Sequence, residues 1–308
     1  MEQPMSGKNA EPAVATKSWR DRFKGASVNL FYAPALIMLV LFSLYPLISG
    51  IGISLTSWDG FNPEKIFVGL SNYVTMLRDA NFRMTLINTF IYGIGSTIIQ
   101  QVLGLGLALL LNSKIKGRNL MRAIIYLPAL VSAVIMGTMY YFIFQYDTGA
   151  LNTILSALGL EKVVWFQNAT TALIIILVVN SVQFVGTSMI IYLAGLQGLD
   201  QSVVEAASLD GASGWKMFWN ITLPGLAPSF TTSVVLNLIG GLKLFDVIKV
   251  LTGGGPGYST NSVSSYISIQ YFDNQNAGYA AAMGVVLFII IAVVTTVMNK
   301  GLDKLGWN

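Results

Sequence analysis

The chain has 308 residues, 54% of them hydrophobic and only 10% charged, with a mean hydropathy of +0.64. A soluble domain carries about 25% charged residues, so this is the composition of an integral membrane protein. Cysteine and histidine are both absent, which excludes disulfides, thiolate or imidazole metal sites and any Ser-His or Cys-His catalytic pair. The net charge of +4 is no signature of polyanion binding, because the basic residues fall where a membrane topology puts them.

Residues 1–28 read as a polar tail containing Lys8, Lys17, Arg20, Arg22 and Lys24. The apolar run that follows is too long for a signal peptide and lacks a small-residue cleavage site. An uncleaved first span is therefore expected at 29–55, with Pro34 and Pro46 as kinks that neighbouring helices accommodate in a bilayer. Residues 56–82 form an outside loop with Trp58, Phe61 and Tyr73 near the interface. The second span is expected at 84–112, where Gly93, Gly95, Gly104 and Gly106 suit close helix packing. A basic loop follows at 113–122, then a third span at 123–144, broken early by Pro128. An outside loop at 145–168 holds a short interfacial helix at 151–160, and the fourth span covers 169–195. The fifth is expected at 229–250, a Gly-rich outside segment at 251–278, and the sixth at 279–299. Each run reaches the roughly 20 residues needed to cross a hydrocarbon core of about 30 Å.

Six spans put both termini on one side, and Lys and Arg choose the side. With the termini inside, twelve fall in inner segments: the five of the tail, Lys114, Lys116, Arg118, Arg122, Lys216, Lys300 and Lys304. Four fall outside: Lys65, Arg78, Arg83 and Lys162. Both termini and the segment 205–224 are therefore expected in the cytoplasm.

That segment, EAASLDGASGWKMFWNITLP, reads as two short helices joined at Asp210-Gly211, since glycine accepts a positive φ. Met217, Phe218 and Ile221 form an apolar stripe at helical spacing, Glu205 lies near a helix start, and Pro224 and Pro228 end the pair. It has no apparent partner within the chain, so its exposed face is expected to dock into another protein. The only Gly-Lys pair, Gly7-Lys8, is followed by Asn9, so the phosphate-binding loop pattern Gly, four residues, Gly-Lys-Ser/Thr does not occur.

The order Glu205-Ala206-Ala207, three residues, Gly211, nine residues, Ile221, one residue, Leu223-Pro224 resembles the EAA loop of binding-protein-dependent ABC importer permeases. Asn72-Tyr73 and Asn88-Thr89 also match that family's positions, and the resemblance covers about residues 29–300. It implies an all-α membrane protein with the type I ABC importer permease fold: six transmembrane helices, an amphipathic cytoplasmic coupling helix within the loop 197–228, and a short cytoplasmic tail at 301–308. It implies that Glu205, Ala206, Ala207, Asp210, Gly211, Phe218, Ile221, Leu223 and Pro224 couple the chain to an ATPase. The implied partners are a second permease subunit in a heterodimer, two cytoplasmic ATPase subunits carrying ATP and Mg, and an extracytoplasmic solute-binding protein. No cofactor is implied on this chain, and the location is the cell (inner) membrane of a bacterium or archaeon. LTGGGP at 251–256, with Phe245-Asp246 before it, resembles the carbohydrate branch, implying import of a sugar, oligosaccharide or polyol. The tail KGLDKLGWN lacks the ending of the paired permease, which places the chain as the first of two subunits, similar to maltose and glycerol-phosphate types. A permease for a non-sugar solute and an ATP-independent channel or secondary transporter remain as alternatives.

Polar residues inside the spans are candidates for the substrate path: Asn88, Gln100, Gln101, Asn180, Gln183 and Asn237, each equally suited to joining helices at about 0.6–2 kcal/mol. Lys243, Asp246 and Lys249 are the charges within a span. Lys243 and Asp246, three apart, can pair along a helix; both are also candidates for the substrate path, with architecture favoured over sugar choice. The Gly run is expected to be a tight irregular connection, with an anion nest as the alternative.

Overall fold

The computed structural model of the protein describes residues 32–304; the tail expected at 1–28 lies outside them. The described residues are helical apart from connecting loops and one isolated antiparallel bridge, Thr56 to Phe67. Helix α1 is Ala33–Ser54, with a π turn at Val40–Leu44 in place of the expected kink at Pro46. The wider turn relieves the clash and missing donor that a proline imposes on an α-helical ladder. Then come α2 (Ser71–Arg78), α3 (Ala80–Asn112), α4 (Arg118–Leu130), α5 (Ala133–Phe144) and α6 (Ala150–Ala157). Next are α7 (Ala169–Gln197), α8 (Gln201–Leu209), α9 (Gly214–Gly225) and α10 (Ala227–Leu242). The chain closes with α11 (Asp246–Leu251), α12 (Val263–Ser268) and α13 (Ala277–Lys304).

Four of these, α1, α3, α7 and α13, are long and apolar enough to cross a membrane, and the count reaches six if α4–α5 and α9–α10 are each one bent span. The α4–α5 bend is 101°. It falls at Val131, which is extended, and at Ser132, which precedes α5, and not at Pro128, which stays inside α4. The fifth apolar run is likewise no continuous helix. It stops at Leu242 after Gly240-Gly241, weak helix formers, and restarts at Asp246. Lys243 and Asp246 therefore sit across an interruption and make no ion pair. Pro224 does not end α9 either, because a π turn at Phe218–Thr222 precedes it and the helix continues to Gly225.

Glycines set how closely the helices approach. A Cβ on Gly104 of α3 would stand 2.5 Å from the Ser188 Cβ of α7, and one on Gly241 of α10 would stand 2.8 Å from the Gly93 Cα of α3. Gly106, expected to pack in the same way, faces nothing within 4 Å. One core cluster gathers Tyr92, Ile176, Val179 and Ile248; a second gathers Met189, Tyr192 and Leu226.

Candidate functional site: a cavity at two helix breaks and an exposed helix pair

A cavity of about 410 Å³ opens where the breaks in the helices meet α3 and α7. Ala133, the first residue of α5, and Lys243, Phe245 and Asp246 from the interruption after α10 line it. Gln100 of α3, Asn180, Phe184 and Thr187 of α7, and Asn237 of α10 complete its polar and aromatic wall. Lys243 and Asp246 are exposed to this space, while Asn237 is held in place: its amide donates to the Ser188 hydroxyl at 2.6 Å and, more weakly, to Ser233 at 3.4 Å. The Gln100 amide donates to the Asn180 carbonyl at 3.3 Å, and its buried Oε1 has no partner among the described residues. Five of the eight path candidates, Gln100, Asn180, Asn237, Lys243 and Asp246, thus share one space, and it presents hydroxyl, amide, aromatic and opposite charged groups together.

The remaining three lie elsewhere. The buried Asn88 amide donates to the carbonyls of Ser259 at 2.7 Å and Asn261 at 3.0 Å. Tyr92 donates to the Thr260 carbonyl at 2.9 Å, and Thr89 accepts from the Val263 N–H at 2.9 Å. One face of α3 therefore clasps the Gly-rich turn by its main chain. Within the turn, the Gly254 and Gly255 N–H groups donate to Thr252. Those two N–H groups are engaged within the turn. Gln101 accepts a short hydrogen bond from the Tyr192 hydroxyl and borders a separate, apolar space of about 520 Å³. Gln183 is buried, and its Oε1 has no partner among the described residues.

Asp79 was not singled out by the sequence. Its Oδ1 caps α3 by accepting from the Asn81 N–H at 2.8 Å, and its Oδ2 accepts from Tyr279 at 2.8 Å and Tyr266 at 2.9 Å. Burial pushes this carboxyl up, but the two phenols and the backbone donors outweigh it and leave the pKa below the usual value. An Asp just before a helix marks a cap, whereas tyrosines 187 and 200 residues further on leave no local sign.

The second feature is the helix pair α8–α9. Asp200 starts α8 by accepting from the Ser202 N–H at 2.9 Å, so Glu205 lies in the second turn and not at the helix start. The Ser202 hydroxyl and N–H hold the Asp200 carboxyl below its usual range. Gly211 has φ +81°. Its N–H donates to Ser208 at 3.1 Å, and that of Ala212 to Ala207 at 2.9 Å, which is the Schellman closure of a helix. Beyond the turn, Trp215, Phe218 and Trp219 form a mutual cluster with ring centroids 5.4–5.7 Å apart. Trp215 is 73% exposed, and a shallow groove beside it runs from Met217 and Thr222 to Leu109 of α3. Met217, Phe218, Ile221 and Leu223 are half-buried; Glu205, Ala206, Asp210 and Pro224 are exposed.

Residues 84–305 match the family described as binding-protein-dependent transport system inner membrane component. The chain belongs to that family. It is thus a multi-pass membrane component of a transporter and not an enzyme. Among its relatives, the probable starch degradation products permease AmyD of Thermoanaerobacterium thermosulfurigenes is 36% identical over 87% of this chain and 91% of its own length. The trehalose/maltose permease MalF of Thermococcus litoralis is 35% identical over 88% and 92%. The arabinooligosaccharides permease AraP of Bacillus subtilis is 36% identical over 94% and 93%. Among solved structures, a bacterial ABC transporter involved in import of the acidic polysaccharide alginate contains a chain that matches with a TM-score of 0.80 at 25% identity. That match covers 93% of this chain and 98% of the other.

Proposed function

We propose that this transporter component is one of two unlike permease subunits of an ATP-driven importer for a sugar, oligosaccharide or related polyol. The polypeptide crosses the membrane six times, with α4–α5 and α9–α10 as bent spans and both termini in the cytoplasm. A solute-binding protein delivers the sugar to the outer face. Two cytoplasmic ATPase subunits, which hold ATP and Mg, grip the α8–α9 pair as the coupling element. The observation that carries this reading is the open Trp215–Phe218–Trp219 face just past the Gly211 turn. Such an aromatic surface is the kind that anchors a protein interface.

The cavity between the helix breaks is the passage for the solute. Opposite charges at Lys243 and Asp246, the amides of Asn180 and Asn237, and the rings of Phe184 and Phe245 suit an uncharged polyhydroxylated molecule. The relatives that carry sugar names support the same substrate class. The test is uptake of candidate oligosaccharides into proteoliposomes holding the assembled transporter, after thermal-shift screening of the cognate binding protein. Uptake that requires both ATP and the binding protein is expected. Uptake that continues without ATP identifies a channel or secondary transporter, and a binding protein stabilised only by non-sugar solutes moves the chain to another branch.

A further inference from the structure

We propose that the loop 113–118 and the free face of α4 bind an anionic phospholipid of the inner leaflet, its headgroup on the loop and an acyl chain along the helix. The assignment rests on the orientation proposed above, which places this loop in the cytoplasm. Between Asp79 and Asp147 the chain has no acidic residue, while the loop and first two turns of α4 hold Lys114, Lys116, Arg118 and Arg122. Among the described residues none of the four makes an ion pair, and only the side chains of Arg118 and Arg122 make hydrogen bonds. Arg122 is already committed: its Nη2 donates at 2.7 Å to the Leu111 carbonyl and caps the C-terminal end of α3. That bond fixes the loop, and Gly117, at φ +80°, turns it into α4. Lys114 and Lys116 remain exposed, and the half-buried Arg118 reaches only the Ser113 carbonyl, at 3.5 Å.

One side of α4 packs on α7, where the Ile125 carbonyl and Tyr126 Cα abut Gly186. The other side exposes Leu120, Ile124, Leu127 and Leu130, each between 60% and 68% accessible. Their spacing puts them on a single helical stripe. From Leu120 to Leu130 that stripe rises about 15 Å at 1.5 Å per residue, half of a hydrocarbon core of about 30 Å. The apolar surface is therefore one leaflet long and begins at the cations. A cytosolic protein meets the charges but not a stripe running that far from them, whereas a membrane lipid meets both. A phosphate headgroup accepts charge-assisted hydrogen bonds from Lys and Arg.

The absence of cysteine from the sequence makes the test direct. Ile124→Cys, carrying a bimane fluorophore, is placed in the assembled transporter in phosphatidylcholine nanodiscs. Each nanodisc contains the same small fraction of spin-labelled phosphatidylglycerol or spin-labelled phosphatidylcholine. The phosphatidylglycerol is expected to quench more, by about fivefold, the worth of one cation near a charged surface. K114Q/K116Q/R118Q should bring it to the phosphatidylcholine level, and K114R/K116R should retain the preference. Equal quenching by the two lipids with the charges intact overturns the headgroup site. No quenching by either shows the stripe covered by protein and overturns it too. Sidedness is read separately from K114C with a membrane-impermeant thiol reagent. Modification from the extracytoplasmic side alone overturns the orientation, and with it the inner-leaflet assignment, whatever the quenching shows.

Discussion

Gly211→Val tests the coupling role proposed for the α8–α9 turn. Gly211 holds φ +81°, and a Cβ built there meets nothing within 4 Å. A Cβ is thus accommodated without a clash, and what counts is the backbone cost of an L-residue in the left-handed region. That cost is about 1–2 kcal/mol, or a fall of about 5–30-fold in the population of the present turn. A matched control exists at Gly159, which has φ +75° and equally empty surroundings but lies after α6, remote in sequence from the helix pair. The assay is the ratio of solute taken up to ATP hydrolysed in proteoliposomes, with the thermal midpoint of the purified complex as the measure of folding. G211V should keep its thermal midpoint near that of the unmodified protein while losing uptake per ATP; G159V should leave the ratio unchanged. Undiminished uptake by G211V refutes the coupling role of this turn, and equal loss in both variants refutes its location.

Other expectations follow from the packing. Asn88→Leu removes both bonds to the Gly-rich turn and strands the buried Asn261 carbonyl, so a loss of about 2–4 kcal/mol is expected in detergent-solubilised unfolding. A change below about 0.5 kcal/mol would mean the clasp is not a stabilising contact. Gly241→Ala drives a methyl into the Gly93 Cα at 2.8 Å and the Tyr92 carbonyl at 2.9 Å, and should cost about 1–3 kcal/mol by the same measurement. For Asp79 the folded pKa is lowered, so its stabilisation is present above the unfolded value near 3.8 and fades as pH falls through the folded one. Asp79→Asn should therefore lower the thermal midpoint at neutral pH, with the gap to the unmodified protein closing only in that acid range. A gap that stays constant with pH contradicts the charge argument. Trp215→Ala with Trp219→Ala should weaken ATPase association by more than about tenfold in a pull-down titration; unchanged affinity removes this face from the interface.

Much of the architecture was legible because membrane helices announce themselves by length and composition. Residues 84–112, 169–195 and 279–299 fall within α3, α7 and α13, which overrun them by a few residues. The turn at Gly211 was legible for a local reason: glycine is the residue that accepts the left-handed conformation a helix closure needs. What escaped were features that periodicity does not encode. The apolar residues continue through Leu244, Val247 and Ile248, so the run reads as one span, although Gly240-Gly241 and the charges at Lys243 and Asp246 mark where the helix stops at Leu242. A buried amide looks the same in sequence whether it faces a passage or holds another segment. Asn88 and Asn237 were indistinguishable until partners 171 and 49 residues away were seen.

The α3 clasp grips peptide oxygens and not side chains: those of Ser259, Thr260 and Asn261. The Ser259 hydroxyl serves only its own turn, through the Pro256 carbonyl. Side-chain identity at the exposed positions 256–258 is therefore decoupled from the α3 grip. Those exposed positions can be rewritten without loosening the clasp, while the anchoring positions on α3 have no such latitude.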